Sequence, residues 1–183
     1  MVSREGAIER SVADAIGMLG TVMNALFLEN LLEHRGVEAR VLSAIHVHAM
    51  VEPYTQKRAR RHLETGRILI LAGGTGSPYL TTDTAAALRA AELGVEVLLK
   101  ATKVDGVYSA DPKVDAQAKR FDRLSYTEVL ERRLGVMDGA AVSICRDRGI
   151  PIIVFDGTKR GNLQSVVRGS VIGTVVGGED QDE

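Results

Sequence analysis

Residues 68–83, with the sequence ILILAGGTGSPYLTTD, run from an apolar stretch through a glycine-rich turn to a polar stretch. The first five, ILILA, are apolar without alternation, which is typical of a strand buried on both faces. Gly73 and Gly74 follow, and Thr82 and Asp83 then precede an alanine-rich stretch, as at the start of a helix. The segment therefore predicts a buried strand, a turn of small residues and the start of a helix.

The same alternation of strand and helix patterns extends along the chain. Predicted helices cover residues 11–33, 55–64, 84–92, 125–131, 137–146 and 162–168. Predicted strands cover residues 37–44, 67–72, 95–99, 151–155 and a last stretch through Val176. This order predicts an α/β three-layer sandwich around a mainly parallel sheet, whose ligands bind at the carboxyl ends of the strands.

Length and composition indicate one globular domain. The chain has 183 residues, of which 45% are apolar and 26% charged, so it can bury a substantial core. We predict a single domain over residues 1–176 and a flexible acidic tail over 177–183. The net charge of -1 provides no broad basic field, so nucleic acid is not expected as a partner. The basic run at residues 57–61 is better explained as a solvated helix face than as an RNA contact.

Cysteine, histidine and hydropathy patterns exclude several other classes. Cys145 is the only cysteine, so an intrachain disulfide cannot form and a reducing cytoplasm is expected. His46 and His48 would share one face of a strand, but they lack a third ligand nearby, so we predict no metal site in the protein. The sequence has no run of about 18 apolar residues and no signal-peptide pattern, so no membrane partner is expected.

The glycine-rich turn could hold a phosphate group. Its backbone N–H groups, the following helix N-terminus and the hydroxyls of Thr75, Ser77, Thr81 and Thr82 are all suitable donors. The alternative is an ordinary strand-to-helix turn with Thr82 as the helix cap. Because the turn lacks the lysine of a Walker motif, its own chemistry leaves both interpretations open.

A second polar segment, residues 98–112, also follows a predicted strand. Lys100 or Lys103 could neutralise a polyphosphate, Tyr108 could flank a base, and Asp111 could accept hydrogen bonds from ribose hydroxyls. The alternative is a solvated hairpin in which the Asp-Gly and Asp-Pro pairs form turns. From chemistry alone the hairpin is slightly favoured.

Taken together, these segments resemble bacterial uridylate (UMP) kinases of the amino-acid-kinase superfamily. The resemblance covers essentially the whole chain and rests on residues 10–24 (RSVADAIGMLGTVMN), 52–54 (EPY), 74–83 (GTGSPYLTTD), 99–112 (LKATKVDGVYSADP), 126–130 (YTEVL) and 136–138 (VMD). Several ordered motifs at the right intervals are far more specific than one glycine-rich turn.

The resemblance implies that the ATP γ-phosphate is transferred to UMP, with Mg²⁺ escorting the nucleotide, to give UDP and ADP. It further implies a role in pyrimidine nucleotide synthesis in the cytoplasm. Family members form homo-hexamers and are commonly activated by GTP and inhibited by UTP. These properties are therefore expected of this chain.

The resemblance also assigns residues to each nucleotide. Asp14 would contact the UMP ribose, although a solvated position is its alternative. The UMP nucleotide and its phosphate would be surrounded by Thr75, Gly76, Ser77, Pro78, Tyr79, Leu80, Thr81 and Thr82. The ATP base and ribose would be held by Thr102, Tyr108 and Asp111. Asp83 would organise the catalytic lysines, unless it is only a helix N-cap, and Lys100 would stabilise the transferring phosphoryl group.

Two phosphate-binding loops of these kinases do not occur in the sequence: a Lys-x-Ser-Gly-Glu loop and a Gly-Gly-Gly-Asn loop followed by an arginine. We therefore expect the fold to be incomplete at the N-terminus, with about the first quarter of a family member absent. We favour a shortened reading of a complete kinase over a product that exists as such. Catalysis by the isolated chain is expected to fall by several orders of magnitude, because those groups align and neutralise the phosphates.

Two other functions remain open at this point. One is an amino-acid kinase that phosphorylates a carboxylate or a carbamate, although the turn at residues 74–83 is closer to the UMP-specific loop. The other is a non-catalytic remnant that binds nucleotide or joins a hexamer without turnover.

Overall fold

The computed structural model describes residues 8–112, 114–115, 117–170 and 172–177. Residues 178–183 of the predicted tail lie outside the described residues. Contacts divide the chain into two compact units, Met1–Ala85 and Ala86–Glu183, and each is described here by itself. The single domain over residues 1–176 stays a prediction.

The first unit places one long helix against a small parallel sheet. Its elements are α1 (Arg10–Glu33), β1 (Ala39–Ser43), β2 (Glu52–Pro53), α2 (Gln56–Glu64) and β3 (Ile68–Ala72). The sheet has the order β2-β1-β3, and both strand pairs are parallel. α1 packs on β1 and β3. The carboxyl ends of β1 and β3 therefore lie side by side, with Ser43 opposite Ala72.

The core of the first unit lies between α1 and the sheet. It contains Val22 and Ala25 of the helix together with Val41, Val51 and Ala72. The sequence predicted that both β1 and β3 are buried strands, and this is correct for β1 only. In β3, Ile68 and Leu71 are exposed, because β3 is at one edge of this sheet in the part of the chain that the structure describes.

The opposite face of α1 is apolar and exposed. By length and composition alone, this helix could cross a membrane. One face of it nevertheless packs on the β1–β3 sheet and carries the carboxylate of Asp14, as expected of a helix in a globular protein. The absence of a membrane partner stays a prediction.

The second unit contains a four-stranded sheet and a two-stranded ribbon. Its strands are β4 (Leu98–Thr102), β5 (Val107–Tyr108), β6 (Arg120–Phe121), β7 (Arg123–Leu124), β8 (Ile152–Asp156) and β9 (Thr174–Val176). Its helices are α4 (Tyr126–Glu131), α5 (Gly139–Arg148) and α6 (Asn162–Val167), while α3 (Thr82–Leu93) spans the boundary between the units. The sheet order is β4-β8-β9-β7, with β8–β9 antiparallel and the other two pairs parallel. β5 and β6 form the antiparallel ribbon.

Local signals explain where α4 and α5 begin. Ser125 and Glu128 form a reciprocal capping box at the start of α4. Asp138 caps α5 by accepting a hydrogen bond from the Ala141 amide at 3.0 Å. The predicted helix 137–146 therefore starts too early, because Asp138 has extended backbone angles and is the cap.

The core of the second unit includes fully buried Ile152 and Val142 of the sheet and α5, together with Cys145. Burial raises the pKa of the Cys145 thiol to about 11, because the thiolate would be desolvated. This cysteine is therefore an apolar core residue.

The α/β class with mainly parallel strand pairs is confirmed. Within the described residues the strands pair as sheets of three, four and two strands. The predicted strand 95–99 is also shifted. β4 begins only at Leu98, because its register with β8 pairs Leu98 with Ile152 and continues to Thr102 opposite Asp156.

Candidate functional site

The turn after β3 has a backbone that only glycine accommodates at two positions. Gly73 and Gly76 have φ angles of 77° and 82°. A Cβ atom on Gly73 would lie 2.9 Å from the Ile45 amide nitrogen, and one on Gly76 would lie 3.0 Å from the Ala44 carbonyl oxygen. The turn therefore packs tightly against the segment that follows β1.

A threonine of α1 holds the start of this turn. The Gly73 amide donates a hydrogen bond to Thr21 Oγ1 at 2.8 Å, and that hydroxyl donates to the Met18 carbonyl at 2.7 Å. The end of β3 and the middle of α1 are thus tied together by one polar side chain.

Asp14 holds the other end of the turn. Its Oδ2 atom accepts a hydrogen bond from the Tyr79 amide at 2.8 Å and lies 3.8 Å from Arg10 Nε. The Arg10 guanidinium also lies 5.4 Å from the centre of the Tyr79 ring. Tyr79 has a φ angle of 71°, a left-handed conformation that is uncommon for a residue other than glycine. Strained residues of this kind concentrate at binding and catalytic sites.

Between α1 and the turn lies a cavity of about 330 Å³. Its wall brings together six of the residues predicted to bind UMP: Asp14, Thr75, Ser77, Leu80, Thr81 and Thr82. Gly76, Pro78 and Tyr79 belong to the same turn but do not form this wall. The sequence interpretation missed Arg10, Ala13, Gly17, Met18, Thr21 and Gly74. Several of these occur three or four residues apart along α1 from Asp14, so the helical period could have indicated them.

The helix that follows the turn is capped by Thr81. Its Oγ1 accepts a hydrogen bond from the Thr84 amide at 3.3 Å, as an N-cap residue does. The proposed caps Thr82 and Asp83 are therefore wrong, since both lie within the first turn of α3. Asp83 is half-buried there and is not part of the cavity wall.

A second cavity, of about 470 Å³, lies in the second unit. It brings together Thr102, Tyr108 and Asp111, the three residues predicted to hold the ATP base and ribose. Lys100 lies within β4, opposite Val154 of β8, and is not part of this wall, and neither is Lys103. The remaining lining residues are Val104, Gly106, Val107, Ser109, Ala110, Pro112, Arg132, Arg133, Leu134, Gly135, Val136 and Val154.

The ribbon of β5 and β6 positions Tyr108. Its hydroxyl donates a hydrogen bond to Asp105 Oδ1 at 2.8 Å, and Arg120 Nη1 lies 3.3 Å from the other carboxylate oxygen. The hydrogen bond from Tyr108 lowers the pKa of Asp105, and the nearby Arg120 charge adds to that effect. The same hydrogen bond raises the pKa of Tyr108. Residues 98–112 therefore do not form a hairpin of their own: β4 pairs with β8, and β5 pairs with β6. The β5–β6 ribbon lines the cavity through Val107 and Tyr108.

The loop between α4 and α5 was missed as part of this site. Residues 132–136 contribute two arginines and an apolar stretch to the wall. Only the motif at residues 136–138 indicated that the loop mattered. Its position depends on tertiary packing, which a single sequence does not reveal.

His46 and His48 lie next to each other in the structure. The absence of a metal site stays a prediction. The rings of His46 and His48 are 5.1 Å apart and nearly perpendicular. Within the described residues, no group of three or more His, Cys, Asp or Glu side chains is arranged to hold a metal ion.

Comparisons with known proteins agree with this geometry. Residues 2–156 match the Amino acid kinase family. A UMP kinase from Bacillus anthracis is 38% identical, with a TM-score of 0.90 over 93% of this chain and 70% of that chain. A UMP kinase from Ureaplasma parvum is 34% identical, with a TM-score of 0.88 over 93% and 73%. A uridylate kinase from Archaeoglobus fulgidus is 33% identical, with a TM-score of 0.72 over 95% and 76%. As the resemblance predicted, the chain belongs to the amino acid kinase family.

Proposed function

We propose that this chain is a UMP kinase, a phosphotransferase that moves the γ-phosphate of ATP to UMP and gives UDP and ADP. The observation that carries the proposal is that the residues predicted to bind UMP and those predicted to bind ATP line two different cavities. Asp14 and the turn residues share one wall, whereas Thr102, Tyr108 and Asp111 share the other. The similarity to UMP kinases at 33–38% identity supports the same reaction.

The first cavity suits a nucleoside monophosphate. The Oδ1 atom of Asp14 could accept hydrogen bonds from ribose hydroxyls while Oδ2 holds the Tyr79 amide. The α3 N-terminus and the hydroxyls of Thr81 and Thr82 could receive the phosphate, since the helix end carries a partial positive charge. Gly76, Pro78 and Tyr79 would shape the turn that surrounds the nucleotide.

The second cavity suits the donor nucleotide. Thr102 and Asp111 would bind its polar ribose, and Tyr108 would flank the base. Apolar groups of Val104, Leu134, Val136 and Val154 provide a surface for the base.

Phosphoryl transfer depends on alignment of the two phosphates and on neutralising the charge that develops on the equatorial oxygens. We assign the neutralising role to Lys100, with Asp83 as the residue that organises the catalytic lysines. Mg²⁺ is proposed to arrive bound to ATP, because nucleotide phosphates supply much of its coordination in kinases.

We further propose a homo-hexamer that acts in cytoplasmic pyrimidine nucleotide synthesis, with activation by GTP and inhibition by UTP. The exposed apolar face of α1 supports assembly, because large exposed apolar patches mark protein interfaces. The net charge of -1 supports the exclusion of nucleic acid as a partner.

A coupled ADP-release assay with UMP, ATP and Mg²⁺ tests the reaction. It should be run on this chain and on a version extended upstream to the next in-frame start. We expect UMP-dependent ADP release, and it should be much faster in any version that carries the two phosphate-binding loops that the sequence lacks. A carboxylate or carbamate as the preferred acceptor would contradict the UMP assignment. Folded protein that binds nucleotides but turns over in neither version would favour the non-catalytic alternative.

A further inference from the structure

Arg133 occupies a position where glycine would be the easier residue. It follows Arg132, the C-cap of α4, and has a φ angle of 49°. Helices commonly end with such a left-handed residue, and glycine is the usual choice because side chains disfavour that conformation. The chain instead has an arginine at this position, and Arg133 lies on the wall of the 470 Å³ cavity.

The two arginines of this wall differ in their contacts. Arg132 Nη2 lies 3.4 Å from Glu128 Oε1, and the Arg132 guanidinium lies 5.9 Å from the Phe121 ring centre. In the part of the chain that the structure describes, the Arg133 side chain has no hydrogen bond or ion pair. Arg132 is thus held by the protein, whereas Arg133 can turn its guanidinium towards a ligand.

The surroundings of Arg133 favour a base over a phosphate. Arg133 directly follows the C-cap of α4, and a helix C-terminus carries a partial negative charge that disfavours anions. The next residues of the wall, Leu134 to Val136, are apolar or lack a side chain. A flat, uncharged and largely apolar group fits such a wall better than a phosphate does.

We infer that Arg133 is a further donor-binding residue whose planar guanidinium lies against the purine base of ATP. Guanidinium groups stack on aromatic faces, and a lysine ammonium does not reproduce that flat contact. The inference rests on the proposed function, because it assumes that the second cavity receives ATP. It adds a base contact to the three residues already assigned to the donor.

Arg133→Gly tests the inference without straining the backbone, since glycine favours the same left-handed conformation. We would measure Kd for adenosine, AMP and ATP by calorimetry with the full chain. The variant should bind all three roughly 3- to 30-fold more weakly, by a similar factor for each. Its Tm should be unchanged or higher. Arg133→Lys should also bind the three ligands more weakly, because lysine retains the charge but lacks the planar group.

Arg148→Ala is the matched control. It removes the same charge from the same unit at an exposed position outside the cavity wall, so Kd should not change. Arg133→Asn provides a second variant should the glycine variant fold poorly, since asparagine tolerates the left-handed region.

Three results would overturn the inference. The first is unchanged binding in the glycine and asparagine variants. The second is a loss that grows with the number of phosphates, is restored by lysine and disappears at high salt, as expected of simple charge attraction. The third is a wild-type chain that binds no adenine nucleotide, which would overturn the proposed donor site itself. Binding of adenine nucleotides by the wild type therefore distinguishes a failure of the Arg133 inference from a failure of the proposed donor site.

Discussion

In the proposed site, Asp14 would link the conformation of the turn to ligand binding. The left-handed backbone of Tyr79 costs about 1–3 kcal/mol. A hydrogen bond from its amide to a carboxylate contributes about 1.5–3 kcal/mol and can offset that cost. Because this bond uses Oδ2, Oδ1 is available to a ribose. One residue of α1 thus stabilises the turn and, in the proposed site, binds the acceptor.

Asp14→Asn should weaken the binding of UMP and leave the binding of ATP unchanged. The amide oxygen of asparagine can still accept the Tyr79 hydrogen bond, but the negative charge that would bind the ribose hydroxyls is lost. We expect KM for UMP to rise about 10- to 100-fold, in keeping with about 1.5–3 kcal/mol for a hydrogen bond to a charged group. KM for ATP should remain unchanged in steady-state assays of the extended protein.

Glu33→Gln is the control for this variant, since it removes a carboxylate from the same helix outside the cavity wall. It should leave both KM values as they are. A fall in kcat with an unchanged KM for UMP would contradict the ribose-binding role of Asp14.

Among the strands, β9 secures the ribbon that lines the 470 Å³ cavity. Thr174 is fully buried, and its Oγ1 accepts a hydrogen bond from the Val107 amide at 2.8 Å and donates one to the Phe121 carbonyl at 2.5 Å. β5 and β6 have only two residues each, too few to persist alone. A Cβ atom on Gly106 would lie 2.6 Å from this hydroxyl, so glycine permits the close approach. The β5–β6 ribbon therefore depends on Thr174, a residue of β9 outside the ribbon.

Thr174→Val should destabilise the protein by about 1–3 kcal/mol, because the shape is kept while the Val107 amide loses its partner. The free energy of unfolding would be measured by urea denaturation. Thr174→Ser retains the hydroxyl, so it should keep the hydrogen bonds and lose only a methyl group, about 1 kcal/mol. A valine variant as stable as the wild type would show that the hydroxyl does not secure the ribbon.

The elements that the sequence predicted well are those with local signals. α1 has a long apolar period, and β1 and β8 have apolar runs, so their existence was clear from the residues alone. The two-residue strands β5 and β6 were not predicted as such, because their pairing is fixed by Thr174, far along the chain. The Thr81 cap was missed for a related reason: three polar residues in succession leave the first helical residue undefined.

The candidate site was predictable to a similar degree. Family resemblance singled out Asp14 and Tyr108, and each lines one of the two cavities. Their roles in nucleotide binding stay predictions. Arg133 and Thr21 were missed, because their roles arise from packing between distant segments. Residues that carry no motif become visible only when the fold brings them to a wall.

At the scale of the whole molecule, α1 is apolar on two faces. One face packs on the first sheet, and the other leaves large side chains in solvent, with Met23 at 72% exposure and Phe27 at 67%. The exposed stripe consists of Val12, Ile16, Leu19, Met23, Phe27 and Leu31. Their spacing of three or four residues makes it continuous along the helix. A stripe of this kind is typical of a surface that a partner covers, and the proposed hexamer would provide one.

The double substitution Met23→Glu and Phe27→Glu should therefore reduce the fraction of the protein that forms the proposed hexamer. Two carboxylates in an apolar interface would have to be desolvated without partners, at a cost of several kcal/mol. Sedimentation velocity should show a hexamer in the wild type and a smaller species in the variant, with unchanged circular dichroism. Val167→Glu and Leu163→Glu, at exposed positions of α6, add the same charge to the second unit and should leave the mass unchanged. An α1 variant of wild-type mass would exclude this stripe from the interface.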